Sequence, residues 1–575
     1  MGKILRYLRH YKKEAVLGPL FKMLEALFEL FIPLVVADIV NVGILGGGGK
    51  IYILQRCGLM ALLGLVGLLA SVTAQYFSAK AAVGMACELR LALFEKIGRL
   101  SYHETDRFGT ATLLSRTTSD VNQIQSAVNL VLRLFLRSPF IVFGAMIMAF
   151  TVSKEAAMTF VVTIPLLSVI VFGIMIASIP LYRRVQAKLD RVLSLSRENL
   201  KGARVVRAFV REKQSVSEFS AATGELNRFQ RFSGTISALL NPLTYVAINL
   251  SVLAIVYLGA QQVDAGSLAT GDVIALYNYM GQILVELIKL ANFIILITKA
   301  CACGSRINRI FDAPDGLPVA ENPKTAANGS VEFKKVSLTY NAGAEQTLTE
   351  ISLAAAPGEV IGIIGGTGSG KTSLVNLIPR FYDVTDGQVL VGGVDVREQD
   401  VTALRDRIAI VPQKAELFAG TVRENLLWGN QNAPERVLFE ALEAARAKDF
   451  VLSKEGGLDT KVEQGGKNFS GGQRQRLTVA RALVRKPEIL ILDDSASALD
   501  YATDAEMRQA IAALPYHPTV FIVSQRTASI QHADKILVLD DGNAVGLGRH
   551  DELLEHCAVY REIFDSQFKG EEVSV

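Results

Sequence analysis

A glycine-rich segment beyond the middle of the 575-residue chain has the composition of a phosphate-binding loop. Its sequence, Gly365-Gly366-Thr367-Gly368-Ser369-Gly370-Lys371-Thr372, fits the pattern G-x-x-x-x-G-K-[ST]. Glycines let backbone N–H groups close around phosphate oxygens, a lysine in this position reaches the β- and γ-phosphates, and the hydroxyl that follows it binds Mg²⁺. The segment therefore predicts a site for a nucleoside triphosphate and Mg²⁺, with Lys371 on the phosphates and Thr372 on the metal.

Two aspartates follow a second apolar run and supply the acid that such a site requires. The run Ile489-Leu-Ile-Leu has the β-branched and apolar composition of a buried strand, and it ends at Asp493 and Asp494. A carboxylate at the end of such a strand holds the magnesium shell in phosphate-loop enzymes. We therefore expect Asp493 to be a magnesium ligand.

The elements around these residues indicate an α/β domain. The run Glu359–Ile364 is a buried strand that leads into the glycine loop, and a helical stretch follows the loop, which is the context that a phosphate loop requires. Helical stretches alternate with short β-rich runs, which is typical of an α/β fold. The predicted strands are 331–336, 359–364, 408–411, 488–492, 519–523 and 535–539. A Pro- and Gly-containing segment at 312–330 reads as a linker, so the α/β domain is expected to occupy 331–570.

The first 311 residues have a different character, since they carry six long apolar stretches. Each is long enough to cross a bilayer, which takes about 20 residues. We therefore predict an all-α transmembrane domain over 1–311, with spans near 14–44, 52–86, 128–152, 155–182, 232–262 and 270–304. Two polar segments, 88–127 and 183–231, separate spans and are rich in Lys and Arg. We expect them to be helical stalks, because polar loops of this length are uncommon without structure of their own.

The distribution of basic residues predicts an orientation in the membrane. The N-terminus and both stalks carry the Lys and Arg excess, so the positive-inside rule places them in the cytoplasm with the α/β domain. A bacterial-type inner membrane is the expected location. Half of the residues are hydrophobic and 20% are charged, and the net charge of +4 is small for this length, so nothing favours a nucleic-acid partner.

Several further motifs, in the same order along the chain, carry a resemblance to ABC exporter half-transporters. Ser470-Gly471-Gly472-Gln473, preceded by Asn468-Phe469, resembles the family's signature, with Phe in place of the usual Leu. Ser497-Ala-Leu-Asp500 resembles the D-loop, and Gln464-Gly-Gly466 lies where the exporters' X-loop is found. The resemblance covers essentially the whole chain, and the order of membrane domain before nucleotide-binding domain is that of exporters. It implies that the nucleotide-binding domain is an α/β domain with a helical subdomain.

The resemblance implies roles for individual residues. Tyr340 resembles the aromatic residue that stacks on adenine, and Gln413 resembles the Q-loop residue that contacts Mg²⁺. In the family two cassettes meet head to tail, and each ATP lies between one chain's phosphate loop and the other's signature. Ser470 to Gln473 would therefore bind the ATP of a partner. The stalk segments near 102–111 and 208–216 resemble coupling helices that dock on the cassettes.

Besides Phe469, and Gln464 in place of the usual Glu of the X-loop, two residues at catalytic positions depart from the family's pattern. Asp494 stands where a catalytic Glu is usual, and Gln525 stands where a His is usual. Asp is one methylene shorter than Glu, and general-base action depends first on hydrogen-bond reach. We therefore expect a heterodimer, in which this chain binds ATP at a weakly hydrolytic, degenerate site and its signature completes the competent site of a second half-transporter with intact Glu and His.

Other interpretations remain open from the sequence. The chain could form an active homodimer that exports lipids or peptides, or it could be an ATP-gated channel or a regulatory ABC subunit. The substrate could be a hydrophobic small molecule, a lipid or a peptide. Charged residues inside the apolar stretches either pair with one another or contact substrate: Lys22, Glu25, Glu29, Asp38, Glu286 and Lys289.

Overall fold

The computed structural model describes residues 2–318, 320–340, 343 and 345–568, with only the backbone of Ala291, Asn292 and Phe568. Val319 of the expected linker and residues 569–570 of the expected α/β domain lie outside the described residues. The chain divides into two compact units. One comprises the residues up to Gly98 together with Gly109–Ala313, and the other comprises Arg99–Phe108 together with the residues from Pro314 onward.

The first unit is all-helical. Within the described residues, six helices are long and apolar enough to cross a membrane, which confirms the predicted transmembrane domain. We number them as the first to the sixth span, in chain order: Gly2–Leu45, Gly49–Arg99, Thr110–Val152, Lys154–Lys201, Glu212–Asp264 and Thr270–Asp312. The first ends in a π-helical turn, Ile39–Leu45, and the third contains another, Arg116–Asp120.

The polar stalk segments are helical extensions of the spans. The second span continues to Arg99 and the fourth to Lys201, well beyond the apolar stretches that the sequence shows. A helix rises about 1.5 Å per residue, so the 13 residues of the second span beyond the predicted apolar limit at 86 add roughly 20 Å of length. Two short helices lie in the connections between spans: Tyr102–Phe108 follows the second span, and Ala203–Ala208 follows the fourth.

Charged residues of three spans meet inside the helical unit. The two pairs expected from their i, i+3 spacing both form, Lys22 with Glu25 at 2.5 Å and Lys289 with Glu286 at 2.8 Å. The buried guanidinium of Arg137 in the third span joins the Glu286–Lys289 pair to a larger cluster. It contacts Glu29 of the first span at 2.6 Å and Glu286 of the sixth at 2.5 Å.

The Arg137 cluster is expected to stabilise the packing of these three spans. Arg137→Ala removes one of the two cationic partners of the Glu286 carboxylate, which is only 3% exposed, and breaking a buried ion pair typically costs about 3–5 kcal/mol. A marked fall in the melting temperature of the purified protein is the expected result. Arg137→Met with Glu286→Leu removes both charges and should restore most of the loss. Equal melting temperatures for Arg137→Ala and the unaltered protein would contradict a stabilising role.

The second unit is the predicted α/β domain, built on three sheets. Its strands, numbered in chain order, are β1 Val331–Leu338, β2 Leu348–Ala355, β3 Val360–Gly365, β4 Asp386–Val391, β5 Val394–Asp395, β6 Ile408–Val411, β7 Gly420–Thr421, β8 Lys461–Val462, β9 Ile489–Asp493, β10 Thr519–Val523, β11 Lys535–Asp540 and β12 Asn543–Gly548. All six predicted strands are present, within about two residues at each end. The longer strands that the sequence did not predict, β2, β4 and β12, belong to antiparallel pairs.

Helices cover the sheets and form a separate helical layer. Those of the second unit are Lys371–Asn376, Val401–Asp406, Val422–Leu427, Glu435–Ala444, Lys448–Leu452, Gly471–Val484, Tyr501–Ala512, His550–His556 and Ala558–Phe568, with Tyr102–Phe108 beside them. One hydrophobic core lies between the four-stranded sheet and the central sheet, and another fills the helical layer around Leu438, Leu442 and Leu477.

The order of the central sheet places the predicted site residues at one edge. The strands run β12-β11-β3-β10-β9-β6; β11, β3, β10, β9 and β6 are parallel to one another, and β12 is antiparallel to β11. The carboxyl ends of parallel strands meet at the same edge, which is where α/β sheets bind ligands. The glycine loop follows β3, Asp494 follows β9 and Gln525 lies two residues beyond β10.

Candidate nucleotide-binding site

The phosphate loop depends on glycine at positions of close approach. A Cβ on Gly365 would lie 2.1 Å from the carbonyl oxygen of Leu539, so a side chain there would displace β11. Gly370 has φ of 91°, a left-handed conformation that favours glycine, and it precedes the helix that begins at Lys371. The loop therefore presents its backbone N–H groups at a helix N-terminus, which attracts phosphate.

The ammonium group of Lys371 is held inside this loop. Its Nζ donates to the carbonyl oxygens of Gly365 at 2.9 Å and Gly366 at 2.6 Å, and the residue is only 9% exposed. Burial lowers the pKa of Lys371, whereas Asp494 and Asp493 act in the opposite direction. Phosphate oxygens could replace the two carbonyl groups as partners of the ammonium group.

Oxygen atoms suited to Mg²⁺ converge beside the lysine. The Thr372 hydroxyl donates to Oδ1 of Asp493 at 3.0 Å, and Gln413 donates to Oδ2 of Asp494 at 3.1 Å. Burial raises the pKa of Asp493, a cost that a bound cation would offset. A hydroxyl, a carboxylate and an amide oxygen are hard ligands of the kind that Mg²⁺ prefers, so the residues present fit the ion.

Both residues that depart from the family's pattern line the same cleft. Asp494 has φ of 47°, a left-handed conformation that Asp tolerates better than most residues, and its amide donates to the carbonyl of Val523 at 2.9 Å. Among the described residues that line the cleft, none is Glu or His. They are Thr347, Thr367, Gly368, Gly370, Lys371, Thr372, Ser373, Gln413, Asp493, Asp494, Val523, Ser524 and Gln525.

The signature residues lie outside this cleft, at the start of the helix Gly471–Val484. The Ser470 hydroxyl accepts from the amide of Gln473 at 3.3 Å, and the side chain of Gln473 accepts from the amide of Ser470 at 3.1 Å. This reciprocal cap leaves Ser470 exposed at a positive helix terminus, while Gly471 and Gly472 keep the approach open. Phe469, the unusual residue before Ser470, is 3% exposed and belongs to the core of the helical layer.

The remaining motif residues take separate places. The Tyr340 hydroxyl donates to Ser373 at 2.9 Å, so its ring lies beside the helix that follows the phosphate loop. Asp500 of the D-loop caps the helix Tyr501–Ala512 by accepting from the amide of Thr503, and this bond lowers its pKa. Gln464 is exposed and begins a single turn that ends at the buried Gly466.

Four residues of the cleft were not predicted as site residues, and one of them, Val523, was expected only as the end of a strand. Ser373 follows Thr372 directly, so the motif itself could have indicated it. Ser524 precedes Gln525, and its hydroxyl accepts from the amide of Arg526 at 2.9 Å. Thr347 reaches the cleft only because the unpredicted strand β2 begins beside the loop, and nothing local in the sequence marks it.

The first of the two predicted coupling segments packs within the α/β unit. The ring of Tyr102 stacks on Phe381 with 4.3 Å between centroids, and the Tyr382 hydroxyl donates to Asp106 at 2.7 Å. Burial and the nearby carboxylate of Asp106 both raise the pKa of Tyr382, so its phenol stays protonated and remains a donor. The ring of Tyr382 in turn meets Tyr340 edge-on at 5.0 Å. The second segment contains an exposed turn at Phe209 and Val210, and its docking stays a prediction.

Reversing the charge of Asp106 is expected to weaken this contact. In Asp106→Arg the phenol of Tyr382 loses its acceptor, which costs about 1 kcal/mol, a roughly fivefold change in a docking equilibrium. Transport of a fluorescent amphiphile into inverted vesicles should fall while ATP binding stays unchanged. Arg107→Ala is the matched control, because Arg107 contacts Glu104 of the same helix. Unchanged transport in Asp106→Arg would contradict force transmission through this segment.

The fold and the site together define a class of protein. A bundle of six apolar helices precedes an α/β domain whose phosphate loop, acidic strand end and capped signature helix are all in place. Such a molecule is a multi-pass membrane protein with an ATPase domain of the ATP-binding cassette type.

Comparisons with known proteins give the family. Residues 16–287 match the ABC transporter transmembrane region, and residues 348–497 match the ABC transporter domain. An uncharacterized ABC transporter ATP-binding protein of Mycobacterium tuberculosis is 38% identical, over 99% of this chain and 98% of its own. An ATP-dependent lipid A-core flippase of Syntrophus aciditrophicus is 32% identical, over 85% and 81% respectively. The chain therefore belongs to the ABC transporter family, and its domain content is that of an exporter half-transporter.

A solved structure shows the same fold. The chain is similar to a bacterial Atm1-family ABC exporter with ATP bound, at a TM-score of 0.81 and 23% identity, and the likeness covers 98% of this chain and 99% of the other. The predicted fold class, six membrane helices followed by a nucleotide-binding domain with a helical layer, is confirmed.

Proposed function

We propose that this chain is one subunit of a heterodimeric exporter that moves hydrophobic or amphipathic substrates out of the cytoplasm. The observation that carries the proposal is the composition of the nucleotide cleft, where Asp494 and Gln525 stand beside an otherwise complete phosphate loop. The chain binds ATP and Mg²⁺ at this site, with Lys371 on the phosphates and with Thr372, Gln413 and Asp493 around the metal. Tyr340 stacks on adenine.

Weak hydrolysis at this site follows from the chemistry of the two residues. Asp494 ends one methylene earlier than a Glu would, and its carboxylate already accepts a hydrogen bond from Gln413. Proton transfer requires the base within about 3 Å of the attacking water. Gln525 offers a neutral amide, so it cannot supply the positive charge of an imidazolium to the γ-phosphate. ATP is therefore bound firmly and turned over slowly.

The exposed signature gives the chain its second role. Ser470 to Gln473 form a capped helix N-terminus with a serine hydroxyl at its tip, and no residue of this set lines the chain's own cleft as described. Such a terminus supplies donors to a γ-phosphate. The partner is a second half-transporter with intact Glu and His, and this chain's signature completes the partner's hydrolytic site.

The orientation follows from the positions of the charged residues. The basic N-terminus and stalks and the nucleotide-binding domain lie in the cytoplasm, and the six spans cross the inner membrane. The substrate is a drug, a lipid or a peptide. A homodimeric lipid exporter is the second candidate, because one relative is named a lipid A-core flippase.

Co-expression tests the pairing. A half-transporter with intact Glu and His, encoded next to this chain, is expected to co-purify with it and to give ATP turnover that its own Glu→Gln variant abolishes. An Asp494→Asn variant of this chain should leave the turnover of the pair nearly unchanged. Equal losses of ATP turnover from the partner's Glu→Gln variant and from Asp494→Asn would mean that the two sites are equivalent, which would contradict a degenerate site in this chain.

A further inference from the structure

The C-terminal helix Ala558–Phe568 contacts the loop that carries Gln525. The helix is anchored on the central sheet by Tyr560, which is fully buried, and the Tyr560 hydroxyl lies 2.7 Å from Nδ1 of His550. The helix is therefore attached to the sheet near its start, and its last turn contacts the loop through Gln567. Gln567 in that turn is the residue that reaches the loop.

Gln567 makes three hydrogen bonds to the loop with one side chain. Its Oε1 accepts from both the amide and the hydroxyl of Thr527, each at 2.9 Å. Its Nε2 donates to the carbonyl oxygen of Gln525 at 2.7 Å. Thr527 is fully buried, so its hydroxyl depends on an acceptor from the protein, and a buried donor without one is costly.

A second contact holds the same loop from the opposite side. Arg526 donates to the carbonyl oxygen of Leu499 in the D-loop at 3.2 Å, and its guanidinium lies 4.8 Å from the ring centroid of Tyr501. Successive residues of the loop are thus bound to different elements. The backbone of Gln525 is bonded to Gln567, and Gln525 is one of the residues that line the nucleotide cleft.

We propose that Gln567 is a positioning residue for the nucleotide site: by bonding to Gln525 and Thr527 it holds the Gln525 side chain at the γ-phosphate. The proposal rests on the proposed function, in which Gln525 stands at the γ-phosphate where a His is usual, and it adds that the neutral amide of Gln525 donates a hydrogen bond there. It predicts that the C-terminal helix affects the recognition of ATP and leaves that of ADP unaffected, because ADP has no γ-phosphate. A general structural role would change the binding of both nucleotides.

The test compares two nucleotides on the full-length protein in lipid nanodiscs. A non-hydrolysable ATP analogue with Mg²⁺ and ADP with Mg²⁺ are titrated against the unaltered chain, Gln567→Ala and Thr527→Val. Gln567→Ala should weaken binding of the analogue about tenfold and that of ADP by less than about twofold. Thr527→Val should show a smaller loss of the same kind. Ser566→Ala is the matched control, because its hydroxyl donates only within the helix, to Ile563.

Two further variants separate this proposal from the one on which it rests. The single variant Gln525→Ala should weaken binding of the analogue. The double variant Gln525→Ala with Gln567→Ala should bind the analogue no more weakly than the single Gln525→Ala variant does. If Gln525→Ala leaves the ratio of the two affinities unchanged, the proposed role of Gln525 is wrong. The positioning role of Gln567 is overturned if Gln525→Ala lowers the ratio of the affinity for the analogue to the affinity for ADP and Gln567→Ala does not. It is also overturned if Gln567→Ala weakens the binding of both nucleotides equally.

Discussion

Substituting Ser470→Ala with Gly471→Asp is expected to reduce ATP hydrolysis by the heterodimer to near background. The pair of changes removes a hydroxyl donor and places a carboxylate at the helix terminus that serves the partner's competent site. Losing one preorganised donor to the transition state typically costs ~3 kcal/mol, about a hundredfold in rate, and the added negative charge acts in the same direction. Lys371→Ala damages only this chain's own site, so it should weaken ATP binding there and slow turnover much less.

Steady-state ATP hydrolysis on the two variants gives the comparison. Ser453→Ala is a control for the loss of a serine hydroxyl, because the Ser453 hydroxyl donates to the carbonyl of Phe450 and lies outside both the signature and the cleft. A hundredfold loss in the signature variant with a loss of only a few-fold in Lys371→Ala fits two unequal sites. Equal losses would mean equivalent sites and would contradict the asymmetric mechanism.

Restoring the family's residues at both degenerate positions should make this chain's own site hydrolytic. In Asp494→Glu with Gln525→His the longer carboxylate reaches further toward the attacking water, and the imidazole can carry a positive charge. General acid–base groups contribute typically 10²–10⁴-fold, so we expect a gain on the order of a hundredfold at this site, provided the partner's signature is adequate.

The matched control for this gain is Asp494→Gln with Gln525→His. It has the same chain length at position 494 but no carboxylate, so its hydrolysis should stay at the level of the unaltered site. Both variants are measured in a pair whose partner carries a Glu→Gln change, which silences the other site. No gain from the Glu and His variant would show that something other than these two residues limits hydrolysis.

Local sequence patterns were sufficient for the parallel core of the nucleotide domain and for the spans. The strands β3, β6, β9, β10 and β11 are continuous apolar runs, as expected for strands buried on both faces, and all were predicted. By contrast, β4 and β12 contain Gly, Asp or Asn, and several of their residues are exposed to solvent. They therefore lack the continuous apolar, β-branched run that marks a buried strand. The motifs around the phosphate loop could be identified because each is a short, contiguous segment of the sequence.

Contacts between distant residues could not be predicted. Arg137 meets Glu29 and Glu286, which are 108 and 149 positions away along the chain, and Tyr382 meets Asp106 across 276 positions. Such pairs depend on how helices and strands pack, and a single sequence records only the residue types. The hydrogen bonds from Gln567 to Thr527 and Gln525 also join residues about 40 positions apart, so they could not be predicted either.

The ATP hydrolysis of the purified chain alone tests the central claim most directly. The chain is reconstituted without a partner, its binding of ATP is verified, and its steady-state turnover is compared with that of its own Lys371→Ala variant. Because Asp494 and Gln525 occupy the cleft, we predict firm ATP binding and a turnover that the Lys371→Ala change barely lowers. Robust hydrolysis by the unaltered chain that Lys371→Ala abolishes would contradict the degenerate site and the heterodimer built on it.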